Sequence, residues 1–260
     1  MRVSNNDAQI DVQIDGEKGD AVVLLAGFPL SREIWDVQAK ALATQYRVIR
    51  PDLRGMGSSS VPDGPYLMET LAGDVAAVLD QLGIERAALA GHSLGGFVAL
   101  AFARMYVERL SHLALVSSRL LTDTPEAMRT RYDLANEAES RQSIEPIAQW
   151  YSKGLIIDGT SPEARARIEK IIRATDYRGA AAMLRGMALR DSAEDIAPDL
   201  ELPFLVVAGG KDPLMPLDLA RNTAAAFPNS RLVICESSGH LSAIDEPDCV
   251  TEALRGWLAQ

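Results

Sequence analysis

The sequence predicts an α/β protein in which a mostly parallel sheet carries helices on both faces. Short apolar runs rich in Val, Ile and Leu recur between longer segments of helical period, which is the pattern of such a sheet. Most of these runs are continuously apolar, as in strands that are buried on both faces. Strand signals are lost between Ser118 and Pro203, which predicts a helical insertion into an otherwise regular fold.

The first predicted strand, Ala8 to Ile14, differs from the others because polar and apolar residues alternate along it. It is followed by Gly16, so we expect a half-exposed antiparallel hairpin that opens the sheet. The remaining predicted strands are Ala21 to Ala26, Tyr46 to Arg50, Arg86 to Ala90, Leu110 to Ser117, Phe204 to Ala208 and Arg231 to Glu236.

Helical periodicity predicts five helices between and after these strands. Gly83 follows the second helix and Pro247 precedes the last one, in agreement with helix stop and start signals. The five helices are Arg32 to Thr44, Met68 to Leu82, Leu94 to Arg104, Leu217 to Phe227 and Asp248 to Leu258.

The segment 119–202 is predicted to be a helical cap, or lid, inserted into a core formed by 1–118 and 203–260. Apolar and Met-rich positions at helical spacing in this segment must be buried against another surface, for which the top of the sheet is the simplest choice. Its four predicted helices are Glu126 to Arg141, Ile144 to Gly154, Pro162 to Thr175 and Arg178 to Leu189.

Charge and apolar patterning exclude several classes of partner. The chain has 260 residues with 26 Lys and Arg against 36 Asp and Glu, a net charge of −10, and no cluster of basic residues. An acidic chain repels phosphate backbones, so a nucleic acid is not expected as a partner. No stretch approaches the roughly 20 apolar residues of a membrane span, so no membrane partner is expected either.

The two cysteines, Cys235 and Cys249, have no metal-ligand spacing and are too few for a disulfide framework. The N-terminal residues show no apolar run typical of a secretory signal. These observations predict a cytoplasmic protein that needs no metal.

The strongest local motif is Gly91-His92-Ser93-Leu94-Gly95, a Gly-x-Ser-x-Gly sequence between a predicted strand and a predicted helix. This is the context of a nucleophile elbow, in which the serine occupies a strained turn and flanking side chains would clash. Ser93 is therefore the candidate nucleophile. The Leu94 N–H would lie at the N-terminus of the helix, where it can stabilise an oxyanion.

A serine hydroxyl needs a base, and the chain has only three histidines. His92 lies within the elbow, next to Ser93, and its side chain is expected on the other side of the turn. His112 lies within a predicted strand and is expected to be a packed residue. His240 follows the last strand in a glycine-containing loop on the side where open α/β sheets assemble their sites, so we predict that it is the base.

Asp212 is the predicted carboxylate partner of this base. It directly follows the Phe204 to Ala208 strand, so its loop opens at the same sheet edge as the loops of Ser93 and His240. Asp245 and Glu246 are the alternatives, although their position before a helix is more typical of capping. The chain order Ser, Asp, His favours Asp212.

The second oxyanion donor is predicted in the loop after the Ala21 to Ala26 strand. In Gly27-Phe28-Pro29 we expect the Phe28 N–H to fill this role. The alternative is a plain strand exit in which Gly27 and Pro29 only shape the turn.

With these residues in place, the chain resembles the α/β-hydrolase superfamily over nearly its whole length. Within it, the sequence is similar to small capped esterases and 3-oxoadipate enol-lactone hydrolases. The matching segments are Leu24 to Pro29, Pro51 to Ser59, Gly91 to Gly96, Gly210 to Pro213 and Gly239-His240.

The resemblance implies hydrolysis of a small-molecule carboxylic ester or lactone through an acyl-enzyme, without a cofactor. The cap would supply the substrate pocket, with Trp150, Leu214 and Leu241 as candidate lining residues. The sequence leaves open carbon–carbon bond hydrolysis or perhydrolysis by the same triad, and a small-molecule receptor with slow turnover. Either a monomer or a homodimer is compatible with it.

Overall fold

The computed structural model describes residues 1–260 and contains one eight-stranded sheet with the strand order β1-β2-β4-β3-β5-β6-β7-β8. β1 and β2 are antiparallel to their neighbours, whereas β3 to β8 run parallel. The predicted α/β fold class is confirmed. The strands are β1 (Arg2–Asn5), β2 (Ala8–Asp15), β3 (Ala21–Leu25), β4 (Arg47–Pro51), β5 (Ala87–His92), β6 (Leu110–Val116), β7 (Phe204–Gly209) and β8 (Ser230–Cys235).

The N-terminal hairpin differs from the prediction in one respect. The alternating strand β2 is antiparallel as expected, but its hairpin partner β1 precedes it and forms the edge of the sheet. Asn6 makes the tight turn with a positive φ of 49°, a conformation that asparagine tolerates. A search for apolar periodicity does not detect β1, because this strand has only four residues, of which only Val3 is buried.

Ten α-helices accompany the sheet. The predicted helix Arg32 to Thr44 is divided into a 3₁₀ turn, Arg32–Trp35, and the shorter helix α1. The helices are α1 (Asp36–Leu42), α2 (Met68–Gln81), α3 (Leu94–Met105), α4 (Pro125–Arg141), α5 (Glu145–Leu155), α6 (Pro162–Arg173), α7 (Tyr177–Ala188), α8 (Leu217–Ala225), α9 (Ser242–Asp245) and α10 (Pro247–Leu258).

Helices α4 to α7 lie between β6 and β7, in the segment for which the sequence predicts a helical insertion. α7 packs closely on the loop after β4, because a Cβ on Gly179 would lie 2.5 Å from the carbonyl oxygen of Gly55. The backbone N–H of Tyr66 also donates to the carbonyl of Ala182 in α7. The division of the chain into core and cap at residues 118 and 203 stays a prediction.

The central strands β3, β5 and β7 are buried along their full length. Because β3 to β8 are parallel, the loops that leave their carboxyl ends gather at one edge of the sheet, where ligands of open α/β sheets bind. No helix in the structure has the length and apolar character needed to cross a membrane.

Candidate active site

The turn between β5 and α3 places Ser93 in a strained backbone conformation. Ser93 has φ 50° and ψ −113°, a region that residues with a side chain seldom adopt. Its N–H donates to the carbonyl of Val116 at 2.9 Å, and its own carbonyl accepts from the Ser118 hydroxyl at 2.8 Å. Neighbouring groups therefore hold the serine at the exit of the strand.

Close backbone approaches explain the glycines on either side of Ser93. A Cβ on Gly91 would collide with the backbone of Gly95 across the turn. A Cβ on Gly95 would lie 2.5 Å from the carbonyl oxygen of Leu25 and 2.8 Å from that of Ala26 on the neighbouring strand exit. The clash expected from the motif is thus present at both positions.

His240 and Asp212 lie side by side after β8 and β7. The distance between His240 Nδ1 and Asp212 Oδ2 is 2.8 Å, and both side chains are buried. The other carboxylate oxygen of Asp212 accepts from the N–H groups of Leu214 and Met215 at 2.8 and 2.9 Å. Two backbone donors therefore fix the carboxylate, which in turn fixes the imidazole.

His92 connects the elbow to the His240 loop. Its Nε2 lies 2.8 Å from the carbonyl oxygen of His240, and since that oxygen only accepts, Nε2 is the protonated nitrogen. Burial lowers the pKa of His92 to about 3, so the ring is neutral. The ring also occupies the space that a Cβ on Gly27 would need. His92 therefore lies between the loop that carries Gly27 and the loop that carries His240, and it contacts both.

The alternative carboxylates have other partners. Asp245 accepts from the Gly239 N–H at 3.0 Å and from the Thr160 hydroxyl at 2.8 Å. Glu246 accepts from the Ser237 N–H at 2.8 Å. Both acids therefore hold the backbone before His240, and Asp245 also connects it to the helical insertion.

The two predicted oxyanion donors lie on adjacent strand exits. Leu94 is the first residue of α3, so its N–H has no partner within that helix. Phe28 follows β3, which pairs directly with β5. The Phe28 ring packs edge-on against that of Tyr151 from α5, with 4.9 Å between the ring centroids.

Ser93 and His240 open into a cavity of about 210 Å³ beneath the helical insertion. Of the predicted lining residues, Trp150 and Leu214 face this cavity, and Trp150 is 41% exposed. The prediction that Leu241 lines the pocket is wrong. Leu241 is fully buried and packs in the core just before α9, so it does not line the cavity.

Sequence reasoning missed several polar residues of the segment 119–202 that line the cavity. Arg119, Asp123, Arg131 and Tyr151 line it together with the residues already named. Arg119 follows β6 by three positions, which is the only signal that could have placed it near the site. The other three come from helices or turns whose orientation the sequence does not define.

The two cysteines require a second correction. The structure pairs Cys235 at the end of β8 with Cys249 in α10 as a disulfide, whereas two cysteines were expected to be too few for a disulfide framework. The two residues are 14 positions apart, and the pairing depends on α10 folding back against β8. Disulfides persist in oxidising compartments, so the cysteines no longer argue for the cytoplasm, and the predicted localisation stays a prediction.

Comparison with known proteins supports the fold described above. The family model for the alpha/beta hydrolase fold matches residues 20–247. The chain is 30% identical over 229 residues to 3-oxoadipate enol-lactonase 2 of Acinetobacter baylyi, covering 85% of this chain and 82% of that protein.

Two solved structures are similar over the entire chain. A thermophilic esterase from Thermogutta terrifontis, with malate bound, has 35% identity and a TM-score of 0.96, and the match covers 100% of this chain and 97% of that one. The enol-lactonase of Burkholderia xenovorans has 27% identity and a TM-score of 0.92, and the match covers both chains completely.

A mostly parallel sheet with a serine elbow and a helical insertion over the strand exits defines the class of this protein. The chain belongs to the α/β hydrolase family. The predicted resemblance to esterases and enol-lactonases is confirmed, as is the predicted enzyme class, a carboxylic ester hydrolase.

Proposed function

We propose that this protein hydrolyses a small carboxylic ester or lactone through an acyl-enzyme formed on Ser93. One observation carries the proposal: His240 Nδ1 lies 2.8 Å from Asp212 Oδ2, and His240 and Ser93 line the same cavity. This is the pairing of base and carboxylate that activates a serine nucleophile in serine hydrolases.

In the first half of the proposed reaction, Ser93 Oγ attacks the ester carbonyl and its proton passes to His240 Nε2. Asp212 keeps the proton of the imidazole on Nδ1 and stabilises the imidazolium that forms. The N–H groups of Phe28 and Leu94 would bind the oxyanion. His240 then returns the proton to the leaving alkoxide, which completes the acyl-enzyme.

In the second half, a water molecule gives a proton to His240 and attacks the acyl carbonyl. As the second tetrahedral intermediate collapses, His240 returns this proton to Ser93 Oγ, which releases the acid and regenerates Ser93. With a lactone, the leaving hydroxyl stays attached to the acyl group, so one ring-opened product leaves the site.

The size of the cavity supports a small substrate. Apolar side chains such as Trp150, Leu155 and Leu214 contact much of it, and its volume is about 210 Å³. Ligand sites of this kind combine an apolar lining with a few placed polar groups.

The test is the initial rate on p-nitrophenyl esters from acetate to octanoate for the natural chain and Ser93→Ala. We expect a preference for short acyl chains and a loss of about 10⁴-fold or more in kcat for Ser93→Ala, because the nucleophile is absent. The matched control is Ser230→Ala on β8, whose hydroxyl bonds only the carbonyl of Ala224. Equal rates for natural chain and Ser93→Ala would refute the acyl-enzyme.

A further inference from the structure

The charged side chains that line the cavity are unbalanced. They are Arg119, Arg131 and Asp123, and Arg190 lies directly behind them. All three arginines pair with the single carboxylate of Asp123: Arg119 Nη2 at 2.6 Å, Arg190 Nη1 at 3.0 Å, and Arg131 through Nε. Three positive charges thus share one negative charge, which leaves a surplus of two positive charges.

This surplus is largely removed from water. The side chains of Asp123 and Arg190 are 1% and 3% exposed, and those of Arg131 and Arg119 are 15% and 18% exposed. Burial lowers the pKa of Arg119 and that of Arg190, and the neighbouring guanidinium of Arg131 lowers both further. A buried excess of like charge is unfavourable unless an anion compensates it.

Most hydrogen-bond donors of Arg131 and Arg190 already have partners within the protein. Arg190 donates to the carbonyls of Met187 and Leu121, and its guanidinium carbon lies 4.0 Å from the centroid of the Phe97 ring. Arg131 donates to Asp123 and, through Nη1, to the Tyr151 hydroxyl at 2.9 Å. These two arginines are therefore fixed in place and shape the wall of the cavity.

Among Arg119, Arg131 and Tyr151, whose side chains line the cavity, two donors remain for a ligand. Arg119 uses Nε toward the carbonyl of Leu121 and Nη2 toward Asp123, which leaves Nη1 without a protein partner. The Tyr151 oxygen accepts from Arg131, so its own proton is available, and burial raises the pKa of Tyr151 so that this proton is retained. Both side chains line the cavity into which Ser93 opens.

We infer that the cap side of the cavity is a carboxylate-binding subsite, in which Arg119 Nη1 and the Tyr151 hydroxyl receive a carboxylate carried by the substrate. This inference rests on the proposed function and narrows its substrate class to esters or lactones that bear a second, ionised carboxyl group. A charged N–H donor such as Arg119 Nη1 makes a strong hydrogen bond to a carboxylate, and the anion would neutralise part of the surplus charge.

The subsite lies close to the reaction centre. The Tyr151 ring contacts that of Phe28, a proposed oxyanion residue, and Ser93 lines the same small cavity. The carboxylate and the scissile carbonyl of the substrate would therefore be separated by only a few bonds. A substrate of the size of a dicarboxylic acid monoester fits this description.

The first experiment compares kcat/KM for matched neutral and anionic esters. One pair places the charge on the acyl side (4-nitrophenyl pentanoate and 4-nitrophenyl hydrogen glutarate), and the other places it on the leaving group (2-nitrophenyl butanoate and 4-nitro-3-butanoyloxybenzoate). We expect the natural chain to prefer the anionic member of at least one pair, and Arg119→Gln to lose about 10- to 100-fold on that member while changing less than about 3-fold on the neutral one. Arg119→Lys should retain part of the preference.

The control is Arg141→Gln on α4, an exposed arginine that pairs only with Glu137 and should leave both rates unchanged. The thermal unfolding midpoint of each variant shows whether it has folded. Equal rates on neutral and anionic esters in the natural chain, or an equal loss on both in folded Arg119→Gln, would overturn the subsite.

A binding measurement separates this inference from the proposed function. Ser93→Ala does not turn over an ester, so calorimetry can compare its binding of monomethyl glutarate and dimethyl glutarate. Tighter binding of the monoanion, lost in Ser93→Ala/Arg119→Gln, supports the subsite even if the natural chain hydrolyses no ester tested. If Ser93 proves essential for ester hydrolysis while the two ligands bind equally, the proposed function stands and the carboxylate subsite is wrong.

Discussion

Two of the carboxylates considered for the acid of the proposed triad, Asp212 and Asp245, have different contacts. Asp212 touches the His240 imidazole, whereas Asp245 contacts the Gly239 backbone and Thr160. We expect Asp212→Asn to lower kcat by about 10⁴-fold, because an amide no longer stabilises the imidazolium and disfavours the required tautomer. Initial rates on a p-nitrophenyl ester measure this.

Asp245→Asn is the matched comparison for this prediction. It conserves shape and weakens only the bonds that hold the loop, so its kcat should fall by less than about 10-fold. A larger loss in Asp245→Asn than in Asp212→Asn would transfer the role of the acid to Asp245.

His92 predicts a pH dependence of stability. Its pKa is about 3 in the folded protein and about 6.5 when unfolded, so between these values the unfolded state binds one more proton. The stabilisation is complete above pH 6.5 and is lost as the pH falls toward 3, by up to about 1.4 kcal/mol per pH unit. His92→Asn should reduce this loss.

Urea unfolding at pH 7.5, 6 and 5 for the natural chain and His92→Asn measures this difference. Asparagine keeps a donor for the His240 carbonyl, which limits the damage to the loop. Parallel curves of unfolding free energy against pH in the two proteins would contradict the assignment of His92 as a neutral buried residue.

At the scale of elements, helix α3 reaches its position over β3 only because residue 95 has no side chain. Gly95→Ala would place a Cβ 2.5 Å from the carbonyl oxygen of Leu25, and a strand backbone cannot move without breaking the sheet. We expect the free energy of unfolding to fall by about 1–3 kcal/mol. Chemical denaturation checks this.

Gly73→Ala provides the control for this substitution. Gly73 lies inside α2, and its added Cβ would meet no atom closer than 3.9 Å. Alanine should raise the free energy of unfolding by up to about 1 kcal/mol through helix propensity. Similar effects of Gly73→Ala and Gly95→Ala on the free energy of unfolding would mean that the close contact between α3 and β3 does not cause the loss of stability in Gly95→Ala.

At the scale of the whole molecule, the disulfide closes a segment that contains His240, α9 and the start of α10. Cross-linking a loop of this length stabilises the folded state by about 3 kcal/mol, mainly by restricting the unfolded chain. We expect Cys235→Ala/Cys249→Ala to lower the free energy of unfolding by this order. Urea unfolding with and without a reductant measures it.

The reductant provides the internal control. It should lower the stability of the natural chain toward that of the double variant and leave the double variant unchanged. Detection of two free thiols in the unreduced, denatured natural chain would show that the bond does not form.

The elements that could be predicted are those whose signals are local. Glycine spacing between a strand and a helix predicts Ser93 as the nucleophile, and the loops that follow two strands predict Asp212 and His240 as its partners. Strands β3, β5 and β7 appear as apolar runs because both of their faces are buried. The edge strand β1 has one buried residue and leaves no such signal.

Local patterns in the chain are enough to predict the fold class, the order of strands β2 to β8 and the loops that carry the candidate triad, because periodicity and strand-end position are properties of neighbouring residues. The Cys235–Cys249 pairing, the burial of Leu241 and the convergence of three arginines on Asp123 are visible only in the folded structure. These depend on how helices rotate and pack against one another, and that packing is set by contacts between residues far apart in the chain.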